Sequence, residues 1–239
     1  MSRPSQRGVT LIELVIAVSL VALLSLGMLF AMRVGLTSMD RSNATLMANR
    51  RVVSVQRILE SQVANLMPVV AQCSAGEQAA SSKIAFFQGE LQTLRFVSSY
   101  SLHEGDRGVP QILEFQVIAG ENGAGVRLVV NELIYSGPLS TGAFCAAVQP
   151  GAPPTFRPVE VGPLSFVLAD KIAYCRFSFK EHPPPNGAGQ WIARWTKPFF
   201  PLGIRVEMAP LDPNAGHLQP LTLTMPVRVN RDPMARYDY

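Results

Sequence analysis

The stretch Arg7-Gly8-Val9-Thr10-Leu11-Ile12-Glu13-Leu14, which runs on in apolar residues as far as Met32, decides how the rest of the chain is organised. A short basic leader ends in Gly8, and a single carboxylate, Glu13, stands near the start of the apolar run. As a helix, residues 9–32 span about 36 Å. A bilayer hydrocarbon core is about 30 Å thick, so the run is long enough to cross one. A carboxylate inside such a segment costs on the order of 2.5–3.5 kcal/mol, so Glu13 is a functional residue by default. An ordinary secretory signal differs: its apolar region is about 7–15 residues, and its small-residue cleavage site lies at the far end. Here the glycine comes first, and no A-x-A-like site precedes Arg33.

These residues resemble a type IV prepilin signal, the class III leader of pilins and type II secretion pseudopilins. The resemblance implies cleavage after Gly8 by a membrane peptidase and methylation of the new amine of Val9. Val9 stands where phenylalanine is usual, and aliphatic residues are tolerated there. It also implies that Glu13 of an incoming subunit neutralises the Val9 amine of one already assembled, setting the axial stagger between helices. Orientation follows from the resemblance and not from charge. Arg3 and Arg7 precede the span, but Arg33, Arg41, Arg50 and Arg51 lie beyond it.

Working outward, residues 1–8 read as leader, 9–32 as transmembrane helix, and 33–67 as its amphipathic continuation. No proline interrupts the chain from Val9 to Met67, and Pro68 closes the run. Leu36, Met39, Leu46, Val53, Val55, Leu59, Val63 and Leu66 recur at helical spacing. The stripe between Val52 and Leu66 fits a helix laid on its own globular domain. Residues 73–230 form a β-rich domain and 231–239 a polar tail. Strands are predicted at 84–88, 93–99, 111–118, 126–135, 164–168, 171–180, 202–208 and 221–229. Glu121-Asn122-Gly123-Ala124-Gly125 is a turn, most simply that of a hairpin. Loops are expected at 73–83, 138–158 and 182–195. The fold class is therefore α+β: a long N-terminal helix, transmembrane in its first half, packed on antiparallel sheet, an arrangement that the resemblance of the leader implies is pilin-like.

The chain has 239 residues. About 200 remain without anchor and leader, enough for one domain with a sizeable core. Lys and Arg number 21 against 17 Asp and Glu, a formal charge of +4 that falls to +2 without Arg3 and Arg7. That balance and the scatter of the basic residues do not point to nucleic acid. Three cysteines, Cys73, Cys145 and Cys175, always leave one unpaired. Cys73 and Cys145 sit in small-residue loops, whereas Cys175 alternates with Phe177 and Phe179 on the buried face of a strand. A Cys73–Cys145 bridge is the expected pairing.

Nothing in the sequence assembles a catalytic or metal site, and no cofactor is expected. His103, His182 and His217 lie far apart in loop contexts. Neither HExxH nor a G-x-S-x-G elbow is present. Glu121-Asn122-Gly123 and Asp212-Pro213-Asn214 are explained by turn chemistry.

A second resemblance covers residues 168–208. An aromatic strand, a Pro/Gly loop, Trp191 with Trp195, and the strand Pro201-Leu202-Gly203-Ile204-Arg205-Val206 are similar to the C-terminal half of J-type minor pseudopilins. That resemblance implies an inner-membrane, single-pass protein with a cytoplasmic N-terminus and a periplasmic domain. Its partners would be the I-type and K-type minor pseudopilins, the pseudopilus subunits and the prepilin peptidase. Its role would be in the tip complex that primes the pseudopilus, with Trp191 and Trp195 as candidate partner contacts. A minor pilin of a type IV pilus or DNA-uptake system shares the N-terminal argument. A membrane-anchored periplasmic enzyme is the remote alternative.

Overall fold

The computed structural model describes residues 10–73, 82–103, 108–149, 152–185, 187–212, 219–229 and 233–234, apart from the side chains at 41, 44, 45 and 48. Gly8, Val9, most of the expected 73–83 loop and most of the expected tail lie outside the described residues. The chain divides into two units, Met1–Ala48 and Asn49–Tyr239.

Helix α1 (Leu11–Ala64) supplies all the described structure of the first unit and enters the second. Residues 11–40 have a mean hydropathy of 2.7, and the apolar window within them contains no buried residue. From Leu11 to Met32 the only polar side chains are Glu13, Ser19 and Ser25. The Ser19 hydroxyl donates to the Val15 carbonyl and that of Ser25 to Val21, each at 2.8 Å. Both hydroxyls are thus satisfied within the helix, as an apolar environment requires.

In the second unit α1 changes character. Val55, Leu59 and Val63 are buried. The helix ends at Ala64, short of the predicted Met67. Gln62 O finds its partner outside the helical ladder, in the Ser98 hydroxyl at 2.9 Å, while Ser61 O accepts from both the Asn65 backbone N–H at 3.1 Å and Asn65 Nδ2 at 2.8 Å. Leu66–Met67 then leaves as strand β1.

The strands after β1 are β2 (Val70–Cys73), β3 (Ser82–Ala85), β4 (Gln88–Gly89), β5 (Thr93–Ser98), β6 (Gln111–Ala119), β7 (Val126–Ile134), β8 (Cys145–Ala147), β9 (Thr155–Phe156), β10 (Phe166–Lys180), β11 (Trp191–Ile192), β12 (Gly203–Pro210) and β13 (Leu221–Pro226). A short helix, α2 (Pro138–Gly142), precedes β8. The main sheet runs β1-β5-β6-β7-β10-β12-β13, with β4 beside β5 and β11 beside β10. Every pairing in it is antiparallel. The architecture is α+β and pilin-like, a long N-terminal apolar helix followed by an antiparallel β-sheet domain.

Alternation along the strands sorts the core into two layers. Leu94 and Phe96, Leu113, Phe115 and Val117, and Leu128 and Val130 join Val55, Leu59 and Val63 of α1 in one cluster. The cluster continues through Cys175, Phe177 and Phe179 of β10 and Ile204 and Val206 of β12. Val97 and Ile112 point the other way, into a smaller cluster with Val69, Ala71, Cys73, Phe86 and Cys145.

Three expectations are corrected. The strand expected at 84–88 is broken into β3 and β4 by Phe86 and Phe87, which turn into different clusters. The strands expected at 164–168 and 171–180 form one element, β10, whose register shifts between Val167 and Ile172. Lys171 there has φ 55°, the left-handed conformation that β-carbon-bearing residues seldom adopt. The loop expected at 138–158 carries α2, β8 and β9. The β6–β7 turn does form a hairpin, with Ala119 opposite Val126. Gly125 closes it at φ 66°, where a Cβ would lie 2.4 Å from Ile172 O, so the position needs glycine.

Candidate functional site

The N-terminal end of α1 places Glu13 in the first turn of the helix, with its backbone N–H donating to Thr10 O at 3.1 Å. A carboxylate there complements the helix dipole. It is the one ionisable group between Leu11 and Met32. Its neighbours Leu11, Ile12 and Leu14 are 83, 69 and 59% exposed. A stripe this apolar with no protein against it is what a lipid or helix neighbour would cover.

Cys73 and Cys145 are joined in a disulfide that ties β2 to β8 across 72 residues of sequence. The bond sits within a packed corner. The Thr141 hydroxyl of α2 donates to Val70 O at 3.0 Å. A Cβ on Gly142 would fall 2.0 Å from Gln72 O, so α2 lies directly on β2. Cys175 is free and buried, and burial pushes its thiol up to about 12. A thiol held neutral in this way is a packing residue rather than a nucleophile.

The two tryptophans differ in burial. Trp195 is 7% exposed and belongs to the main core. Its Nε1 donates to Phe199 O at 2.6 Å, and its backbone N–H donates to Gly89 O at 2.8 Å. Buried indoles take such a partner, and this one locks Trp195 into the fold. Trp195 is therefore held within the fold rather than offered on its surface. Trp191 is half-buried, and the Arg205 guanidinium lies 4.0 Å from its ring centroid.

Sequence reasoning missed the charged side chains of the sheet. Arg95 is fully buried on the face of β5 opposite α1. Its Nε donates to Glu114 Oε1 at 2.8 Å and its Nη1 to Gln88 Oε1 at 2.6 Å. Its Nη2 donates to Arg157 O at 3.1 Å, and Phe144 and Phe156 flank the guanidinium at 5.0 and 5.8 Å. Burial pulls the pKa of Arg95 down, while Glu114 opposes this by charge and hydrogen bond. Arg127 pairs with Asp170 and with Glu121, tying the β6–β7 turn to the irregular part of β10. Arg95 and Glu114 alternate with the core residues Leu94, Phe96, Leu113 and Phe115, so the sequence pattern places them on the outer face and gives no signal of a buried pair.

Two cavities accompany these features. One of about 360 Å³ gathers Glu181, His182, Trp195, Lys197 and Phe199, with the His182 ring edge-on to Phe199 at 5.0 Å. The other, of about 440 Å³, lies beside Gln88, Gln116, Phe156 and Arg157. Among the described residues the first has no serine, threonine or cysteine in its wall. No group of three or more metal-ligating side chains occurs among the described residues.

Residues 3–29 match the family model described as the prokaryotic N-terminal methylation motif. No curated protein matches the chain. The match spans Gly8, Val9 and Glu13, and the apolar helix beyond them is compatible with a membrane anchor. The N-terminus therefore carries a class III prepilin-type motif, which supports a pilin- or pseudopilin-type protein.

Proposed function

We propose that this chain is a minor pseudopilin of type II protein secretion, of the J type. It would be part of the tip complex that primes the periplasmic pseudopilus and helps export folded proteins. The observation that carries the assembly role is Glu13, one carboxylate at the head of an apolar helix inside a methylation motif. In a low-dielectric surrounding an isolated carboxylate is costly, and a neighbouring subunit's amine offsets that cost. Gly8 is the processing site, Val9 the methylated terminus and Glu13 its charge partner in the next subunit. The helix is anchored in the inner membrane with the N-terminus cytoplasmic and the globular unit periplasmic. The mechanism is assembly, not catalysis. Support for the J type comes from the order of β10, the Pro/Gly loop, Trp191 with Trp195, and β12.

Two measurements test this. Glu13→Ala leaves membrane insertion intact and abolishes incorporation into filaments; unchanged incorporation overturns the role of the carboxylate. The full chain, extracted in detergent, co-purifies with the I-type and K-type minor pseudopilins of the same organism. Co-purification with minor pilins of a pilus system instead assigns it to that system. The pilus reading shares the N-terminal observations and differs in these partners.

A further inference from the structure

The outer faces of β10, β12 and β13 carry side chains that the assembly mechanism does not use. Phe177 and Phe179, Ile204 and Val206, and Leu223 and Met225 point into the core. Their neighbours in sequence therefore point out. Tyr174, Arg176 and Lys180 of β10 are exposed, and Arg205 and Glu207 of β12 are half-buried. Trp191 of β11 stands opposite Lys180, which in turn stands opposite Gly203.

The indole lies over the gap that Gly203 leaves. A Cβ on Gly203 would sit 3.5 Å from Trp191 Cη2. Two residues along β12, the Arg205 guanidinium lies over that indole, 4.0 Å from its centroid. Its Nε is shut off from solvent with no hydrogen-bond partner among the described residues. Arg176 makes the same kind of contact with Tyr174, at 4.9 Å. A guanidinium held over a ring, with Nε turned inward, keeps its terminal Nη groups as the pair that a carboxylate can take. No ion pair among the described residues engages Arg176, Lys180 or Arg205. Glu207 stands opposite Arg176 on this face, so Lys180 and Arg205 carry its excess positive charge. Tyr, Trp and Arg together are the residues enriched where proteins bind proteins.

We infer that this face is a docking surface for an acidic segment of a partner protein, one carboxylate of which is taken by the Arg205 fork on its Trp191 shelf. Arg176 and Lys180 receive further acidic groups along the same strand. The site rests on the assembly reading only in that a partner exists.

The test uses the full chain in the membranes of its own host, with the photo-reactive residue p-benzoylphenylalanine at Thr224, directly opposite Arg205 on β13. Mass spectrometry maps the adduct to an Asp- or Glu-bearing segment of another protein. Arg205→Glu lowers the adduct yield about 10-fold or more. Arg replacing the mapped acid in the partner restores the yield in the Arg205→Glu chain. Lys180→Glu, at an exposed position, lowers the yield independently if Arg205→Glu disturbs folding. An adduct to a segment without acids, to lipid, to a second copy or to residues 230–239 of the same chain overturns the inference. So does an unchanged yield in both variants. A chain still beginning at Met1 refutes the assembly reading but leaves the adduct's identity readable. A processed chain without an acidic adduct refutes the docking surface alone.

Discussion

Arg95 and Glu114 face each other across β5 and β6 as a buried ion pair, with side chains 0 and 6% exposed. The pair fastens Phe144, Phe156 and Arg157 to the sheet, because Arg95 also donates to Arg157 O and is flanked by the two rings. Removing one partner leaves the other charge buried alone. Arg95→Met should therefore destabilise the chain by about 3–5 kcal/mol. Arg95→Met combined with Glu114→Leu should cost far less than the two single changes added together. Urea unfolding of the detergent-solubilised chain measures both; additive losses would mean that the pair does not act as a unit.

The helix, the antiparallel strands and the α+β class were legible because apolar periodicity reports burial directly. The 111–118 run is an example: Leu113, Phe115 and Val117 all lie in the main core. The end of α1 was not legible. Leu66 and Met67 continue the helical stripe, but Ser98 and Asn65 take the terminal carbonyls and β5 pairs with Leu66 and Met67 themselves. Ser98 lies 36 residues from Gln62 in sequence, and the Asn65 contact depends on the turn itself. Arg205 on Trp191 was equally hidden. The contact needs β11 and β12 to flank β10, and strand order is not written in any local pattern. The burial of Trp195 was hidden for a related reason, since it depends on Gly89 and Phe199.

Asp170 supplies the pH dependence. Hydrogen bonding from Arg127 is the largest cause holding its carboxyl below the usual value of 3.8. A carboxyl depressed in the folded state contributes stability that is present above its unfolded pKa and is lost as pH falls through the folded one. The loss therefore begins as pH drops below the ordinary carboxylate range. Asp170→Asn should remove that part of the acid sensitivity and leave a flatter stability profile below about pH 4. Unfolding midpoints measured from roughly pH 2 to 7 check this, and identical profiles would count against the pair.

The Cys73–Cys145 disulfide closes a loop of 72 residues in sequence. Replacing both cysteines by serine should lower stability by about 2–4 kcal/mol. Calorimetry of the full chain in detergent reads this as a lower unfolding temperature. An unaltered temperature would show that α2 and β2 are held by packing alone.

Cys175 should resist alkylation by iodoacetamide at about pH 8 in the folded chain and react once the chain is unfolded. Mass spectrometry of alkylated peptides reports this directly. Ready modification of the native chain would show that the β10 core opens far more easily than its burial implies.

The measurement that bears most directly on the central claim is the intact mass of the chain extracted from the membranes of its own host. Processing at the methylation motif predicts loss of residues 1–8 and a mature chain beginning at Val9 with one added methyl group. A mass that corresponds to an intact chain starting at Met1 would contradict the prepilin reading, and with it the pairing of Glu13 and the place of this protein in a filament.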